Sequence, residues 1–385
     1  MSESAVKLPS TPKNWETMVA AAGISDKQIH EEQLPSASKM KLRHCLLLRV
    51  LWKPVKPSSF TPKQFDLDEW MRPARDMLSS YHSWKVYLKS FTGRKPMDEG
   101  NFFLAKVSQL EAAKVESDEI SDDVIMSPVS NRTRQQILKK REEQNQTPTK
   151  SSSIFLEGLT LDDRTPFTPD NLEEDDPFKD PAPLTAESLG PREIRNEMYP
   201  KIDDEQVVNV ATLNFLKALT AQFPSLSSTW TIHRKPFHAE FENTKYEART
   251  DGYLRGKEYK DVRGLVEVKA PLRIDKQTEI RIQESAQMVA WVKEFPYTPP
   301  NRPFRRFHVS QDRHEIWLIF AEYDDQYLKY LQGTSTAMDL LSFLTMYEVG
   351  PFSTQNERHM AELGPILLAL TLRADDDRKE EQRSS

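Results

Sequence analysis

Apolar positions recur at helical spacing most clearly in IDDEQVVNVATLNFLKALTAQF, where Val208, Ala211, Phe215, Ala218 and Ala221 fall three or four residues apart. This predicts a helix opening on Asp203 as N-cap with Gln206 as its reciprocal partner. TWTIHRKPFHAEF and KYEARTDGYLRG then read as extended segments, and GLVEVKA as a short buried strand. TEIRIQESAQMVAWVKEF places Ile282, Ala286 and Val289 on one stripe, the pattern of a helix laid on a sheet. FHVSQDRHEIWLIFAEY predicts two strands around a turn at Gln311–His314, and YLKYL, AMDLLSFLTMY and ELGPILLALTL predict apolar helices. The order suits an α/β fold with a mixed β-sheet flanked by helices.

N-terminal to this block the periodicity fades. Residues 1–39 mix Ser, Pro, Lys and Glu and are expected to be a disordered arm. Residues 40–114 contain LLLRVLW and LDEWMRPARDMLSSYHSWKVYLKSF, enough apolar surface for a partly ordered region docked on the main domain. Residues 115–190 form an acidic Ser/Thr/Pro-rich linker, 191–373 the folded domain, and 374–385 a frayed tail.

Charge sharpens this division. The chain carries 26 prolines, 11 glycines and 37% hydrophobic residues, which argues for one compact domain with long arms. Its net charge of -6 would repel a polyanion, but the acidity is local: Glu116–Gly190 holds 17 Asp/Glu against 8 Lys/Arg, while Arg195–Arg373 holds 24 against 23. The single cysteine, Cys45, excludes an intramolecular disulfide framework and a cysteine-based zinc cluster. With no signal core and no apolar run long enough to span a bilayer, the expectation is an intracellular protein, nuclear or cytoplasmic, without membrane contact. Within the linker, Ser127-Pro128, Thr147-Pro148, Thr165-Pro166 and Thr168-Pro169 are candidate sites of proline-directed phosphorylation through which protein partners would dock, and Lys139–Arg141 is a candidate import signal.

The chemistry concentrates in the strands. A side-chain period of two puts Glu267 and Lys269 of GLVEVKA on one face and Val266 and Val268 on the other. Asp251, where YEART ends, converges on Glu267 if the two strands pair. Two carboxylates form a hard oxygen site suited to Mg²⁺ or Mn²⁺, beside which a lysine orients or helps deprotonate an attacking water and offsets developing negative charge. Glu205, one turn before Val208, is a candidate third ligand. Gln283, Gln287 and Trp291 share a helix face, amides suited to a carboxylate or phosphate and an indole suited to a base. Arg255, Lys257, Lys260 and Arg263 in RGKEYKDVR, with Arg305 and Arg306 in NRPFRRFH, are candidate nucleic-acid contacts. Histidines 233, 238, 308 and 314 show no metal-ligand spacing and read as surface or satisfied polar residues.

The succession DDEQVVN, ARTDGYL, GLVEVKA, QESAQMVAW resembles the PD-(D/E)XK nuclease superfamily, most closely the fungal PD-(D/E)XK nuclease-like domain proteins, over roughly residues 195–372. The resemblance implies a restriction-endonuclease-like fold, with Asp251 and Glu267 binding divalent metal, Lys269 catalytic, Glu205 joining the metal shell, and Gln287 and Trp291 standing for a QxxxY-type motif. Thr250 replaces the proline of the family motif, and Trp291 its tyrosine. It implies metal-dependent hydrolysis of DNA or RNA; the alternative is a protein that keeps the fold as a non-catalytic nucleic-acid- or protein-binding regulator.

Overall fold

The computed structural model describes residues 7–92, 100–113, 204–296, 306–335 and 340–384. All belong to one compact unit, Met1–Ile125 with Tyr199–Ser385; the second unit, Met126–Met198, lies outside the described residues, with the candidate phosphorylation and import motifs.

The central element is a seven-stranded mixed sheet. Its strands are β1 (Val50–Val55), β2 (Ser228–Thr231), β5 (Gly252–Gly256), β6 (Val262–Lys269), β7 (Arg306–Asp312), β8 (Glu315–Glu322) and β9 (Leu344–Ser353). They lie in the order β1-β9-β8-β7-β6-β5-β2, with β1–β9 and β6–β7 parallel and the other pairs antiparallel. A separate hairpin joins β3 (Pro236–Glu240) to β4 (Lys245–Arg249). Alternation along the central strands divides two apolar cores: Val266, Val268, Phe307, Val309, Leu318 and Phe320 enter one, and Leu265, Ile319 and Ala321 the other.

The first core is closed by α3 (Asp68–Ser80), α4 (His82–Lys89), α5 (Phe102–Ala113), α6 (Glu205–Thr220) and α9 (Glu357–Ser384). The helix predicted around Val208 is α6. Its cap is Asp204 and not Asp203, with the carboxylate accepting from Gln206 N at 2.8 Å. Val208, Ala211, Phe215 and Ala218 are buried as the spacing requires, while Ala221 is exposed. The second core lies under α1 (Pro12–Ala21), α2 (Leu42–Leu47), α7 (Arg273–Glu294) and α8 (Asp325–Gln332).

Three expectations are corrected. Residues 7–39, expected to be a disordered arm, pack into the second core: Leu8, Val19, Ile24 and Ile29 are buried, and Trp52 N donates to Pro9 O. Sparse apolar residues suffice because a preformed surface receives them. The domain therefore begins far upstream of residue 191, with β1 an edge strand of the sheet and Phe65 of the 40–114 region stacked on Phe320 at 4.4 Å. The tail beyond residue 373 is also tied down. Asp375 accepts from Ser227 N at 2.6 Å and pairs with Arg263 at 2.8 Å, and α9 runs to Ser384. Finally, the described part of AMDLLSFLTMY, residues 340–347, is not helical: Leu344–Ser353 is a strand between β8 and β1. Leu344 and Met346 alternate with the half-buried Thr345 and Tyr347, a period-two pattern concealed in an apolar run.

Helix α7 meets the sheet through an apolar face and through paired charges. Arg273, wholly buried, reaches Glu284, Asp312 and Glu348, each at 2.5 Å, and donates to Ser310 Oγ at 2.7 Å. Arg281 also pairs with Glu348. Burial pushes Glu284 up to about 7 and raises Asp312; for Glu348 burial acts in the same direction, but Arg273 and Arg281 outweigh it and leave the carboxyl below its ordinary value.

Two outcomes test this architecture by urea unfolding. Phe65→Ala lowers stability by about 3–5 kcal/mol; a loss below about 1 kcal/mol would mean that the N-terminal region is docked and not integral. Arg273→Met leaves Glu284 and Asp312 without their ion-pair partner, Glu348 keeping Arg281, and costs about 3–5 kcal/mol, whereas a near-neutral effect would show that the buried charges are individually dispensable.

Candidate functional site

The chain leaves the β3–β4 hairpin at Arg249 and enters the main sheet at Gly252, so Asp251 sits where it changes sheets. Its N–H donates to Val266 O at 3.0 Å and its own carbonyl accepts from Asn209 Nδ2 of α6 at 3.2 Å. Glycine is required next: a Cβ on Gly252 would meet Thr231 O at 2.7 Å. Asp251 Oδ2 accepts from Val268 N at 3.2 Å and Oδ1 pairs with Arg234 at 3.0 Å.

Glu267 and Lys269 project from β6 on the α7 side, as the alternation requires. Glu267 is 1% exposed. Its Oε1 accepts from Lys269 Nζ at 2.7 Å and from Gln283, and its Oε2 accepts from Gln287 at 2.6 Å, whose amide also reaches Arg249 O at 2.7 Å. The two glutamines, one helical turn apart on α7, thus clamp the carboxylate. Burial pushes the Glu267 carboxyl up to about 8, opposed by the Lys269 charge and reinforced by that of Asp251. For Lys269, burial acts to lower the ammonium, but Glu267, Glu205 and Asp251 outweigh it and hold it above its ordinary value. That leaves Lys269 a cation suited to balancing negative charge.

Asp251, Glu267, Lys269 and Gln287, named from the sequence, therefore converge. Glu205 joins them differently from expectation: its Oε1 lies 3.5 Å from Lys269 Nζ, and among the described residues no group of three or more His, Cys, Asp or Glu side chains is arranged to hold a metal. The pair Asp251 and Glu267 still matches Mg²⁺, which is commonly held by one or two carboxylates with water and substrate phosphate in the remaining positions.

The outer ring is redistributed. Trp291, expected to stack on a base, is 2% exposed, tilted against Phe237 and covered by the Arg306 guanidinium 4.1 Å from its ring centre. Arg306 is itself buried and donates to Tyr323 Oη and to Phe295 O. Arg263 is consumed by Asp261, Ser227, Ser228 and Asp375. Lys257 donates to Leu226 O at 2.6 Å, and Arg255 is half-buried. Lys260 is exposed, and Arg305 lies outside the described residues. Arg234 and Asn209 are the site residues that the sequence concealed, since only the folded chain brings them to Asp251. His308 and His314 are buried, not surface groups, and burial lowers both to about 3, which keeps the imidazoles neutral.

Comparison of the chain with protein-family models, with curated proteins and with solved structures finds no match.

The buried Glu267 makes a pH-dependent outcome. A carboxyl whose folded value is raised contributes its stability fully below the unfolded value and loses it as pH rises through the folded one, here about 8. In the presence of chelator, Glu267→Gln therefore gains stability relative to the unsubstituted protein between about pH 5 and about pH 8, by on the order of 1–4 kcal/mol in urea unfolding. A difference flat with pH would show that Lys269 keeps Glu267 ionised throughout.

Proposed function

We propose that this chain is a divalent-metal-dependent nuclease of the PD-(D/E)XK type with a restriction-endonuclease-like fold, hydrolysing phosphodiester bonds in DNA or, second, in RNA. One observation carries the reading: Asp251, Glu267 and Lys269 arrive from separate positions in the chain at one buried point, held by Gln283 and Gln287. The crossover from β6 through α7 to the parallel β7 supports it, because it sets the glutamine face of α7 over the carboxylate strand.

Asp251 and Glu267 would hold the metal, expected to be Mg²⁺ or Mn²⁺, and when bound it would supply Lewis-acid polarisation of the phosphate and a more acidic water. Lys269 places its ammonium where negative charge develops on the phosphoryl oxygens. Gln283 and Gln287 keep Glu267 in one orientation, and Asn209 fixes the backbone of Asp251. Burial of Glu267 favours its charged form only when a cation arrives, which couples ionisation of the site to occupancy.

A second reading, a protein that keeps the fold to bind nucleic acid or a protein partner without turnover, has its own support. Both oxygens of Asp251 and both of Glu267 already have partners, so Arg234 and Lys269 stand in competition with a metal. Arg234 is the more displaceable, its side chain being 55% exposed.

Cleavage of labelled plasmid and oligonucleotides with Mg²⁺, Mn²⁺ or EDTA separates the two. The nuclease reading expects metal-dependent cutting that falls by roughly 10²-fold or more in Asp251→Ala and in Lys269→Ala, with both variants folded by circular dichroism. Cutting that survives in them places the activity elsewhere, and no cutting on any substrate leaves the binding reading.

A further inference from the structure

Beside the carboxylate site, and outside it, lies a cavity of about 450 Å³. That volume falls within the range of pockets that enclose a small organic ligand. Its lining is strongly cationic for a chain of net charge -6: Lys235, Lys260, Arg263, Arg306 and Arg378 face it, against Asp261 and Asp377. Aromatic rings complete it. Tyr259 and Phe295, 52% and 45% exposed, stand at its surface, and the Arg306–Trp291 stack lies beneath. The Arg378 guanidinium lies 4.8 Å from the centre of the Tyr259 ring, and planar cations stacked on aromatic faces accept a further planar group readily.

Two of these cations have no anionic partner, although the Lys235 ammonium lies 5.9 Å from the centre of the Phe237 ring. Among the described residues, no ion pair or hydrogen bond engages the side-chain nitrogen of Lys235 or Lys260. Lys260 also occupies the left-handed region at φ 55, in the turn closed by Gly256 N to Asp261 O at 3.0 Å. A residue with a Cβ adopts that backbone at a cost, which native structures tend to accept at functional positions. The combination of unpaired ammonium groups with exposed rings suits an anion attached to a flat heterocycle, and an apolar ligand would leave both lysines stranded.

The cavity is linked to the site by two routes. Arg234 pairs with Asp251 while its neighbour Lys235 lines the cavity. Along α7, Gln287 holds Glu267, and Trp291 and Phe295 follow one and two turns later, roughly 6 and 12 Å along the axis. This is a few nucleotides along a strand.

We propose that the cavity holds one unstacked nucleotide of a single strand whose backbone runs past Asp251 and Glu267, its base against Tyr259 and Phe295 and its phosphate at Lys235 and Lys260. The strand path rests on the nuclease reading; the nucleotide chemistry of the cavity does not. A base can enter only if it leaves its neighbours, so the site discriminates against intact duplex. Arg263 has no part in this recognition, since Asp261 and Asp375 hold it.

The test is metal-free binding, which separates the subsite from turnover. Fluorescence anisotropy of a labelled single-stranded oligonucleotide, in EDTA, is measured on the full chain and on Tyr259→Ala, Lys260→Glu and Lys235→Ala, each checked for an unchanged unfolding transition. Single strands are expected to bind more tightly than the blunt duplex of the same sequence, with each variant weakening the single strand about tenfold. Unchanged affinity in all three variants overturns the subsite, as does equal binding of duplex with the same variant sensitivity. Adenosine monophosphate that binds as tightly as the strand, through the same residues, reassigns the cavity to a free nucleotide and overturns the strand path. A protein that passes this test yet cuts nothing with Mg²⁺ fails the nuclease reading alone.

Discussion

The seating of α7 on the central sheet is the contact from which the rest of this molecule follows. One helix face carries Ile282, Ala286 and Val289 into the apolar core, while its neighbouring positions deliver Arg273 and Arg281 to carboxylates on β7 and β9, with Glu284 of the same helix completing the network through Arg273. Buried charges of this kind contribute little net stability compared with a hydrophobic interface, because each ion must first be stripped of water. What they give is register: Arg273 reaches Asp312 on β7 and Glu348 on β9 together in one placement of the helix only. Gln283 lies between Arg281 and Glu284 and Gln287 one turn beyond Gln283, so the same placement delivers both amides to Glu267.

The candidate site is accordingly a costly arrangement held from outside itself. Glu267 is buried beside Asp251, a like charge, and Lys269 compensates only in part, which is why the carboxyl rises to about 8. Packing that ignored function would replace such a residue with a leucine. Here the strand keeps it, and the surrounding amides, the Arg234 ion pair and the Asn209 contact hold the two carboxylates in fixed orientations. Preorganisation of this sort is what electrostatic catalysis and ion binding both require.

The N-terminal region alters the picture of the domain. Strand β1 joins β9, and Phe65, Trp70 and Trp84 pack into the core shared with α6 and α9, so segments from opposite ends of the chain complete one another. Arg373 of α9 donates to Phe65 O at 2.9 Å, and Asp376 accepts from Trp70 Nε1 at 2.8 Å. A fragment starting at residue 191 would lack an edge strand and part of each core.

What the sequence determined by itself was local. The stripe of α6, the alternation in β6, the turn between β7 and β8, and the pairing of Glu267 with Lys269 on one face all follow from backbone periodicity, which any window of ten or so residues displays. Only the tertiary structure decided which partners those faces meet. The end of AMDLLSFLTMY, from Leu344, reads as part of a helix until β8 and β1 stand on either side of it; residues 7–39 read as unstructured until the second core receives them; Trp291 reads as a base platform until Arg306 covers it. Arg234, Asn209 and the cationic cavity are invisible in the chain for the same reason. Their chemistry is set by contacts between residues far apart in sequence, and no local pattern carries that information.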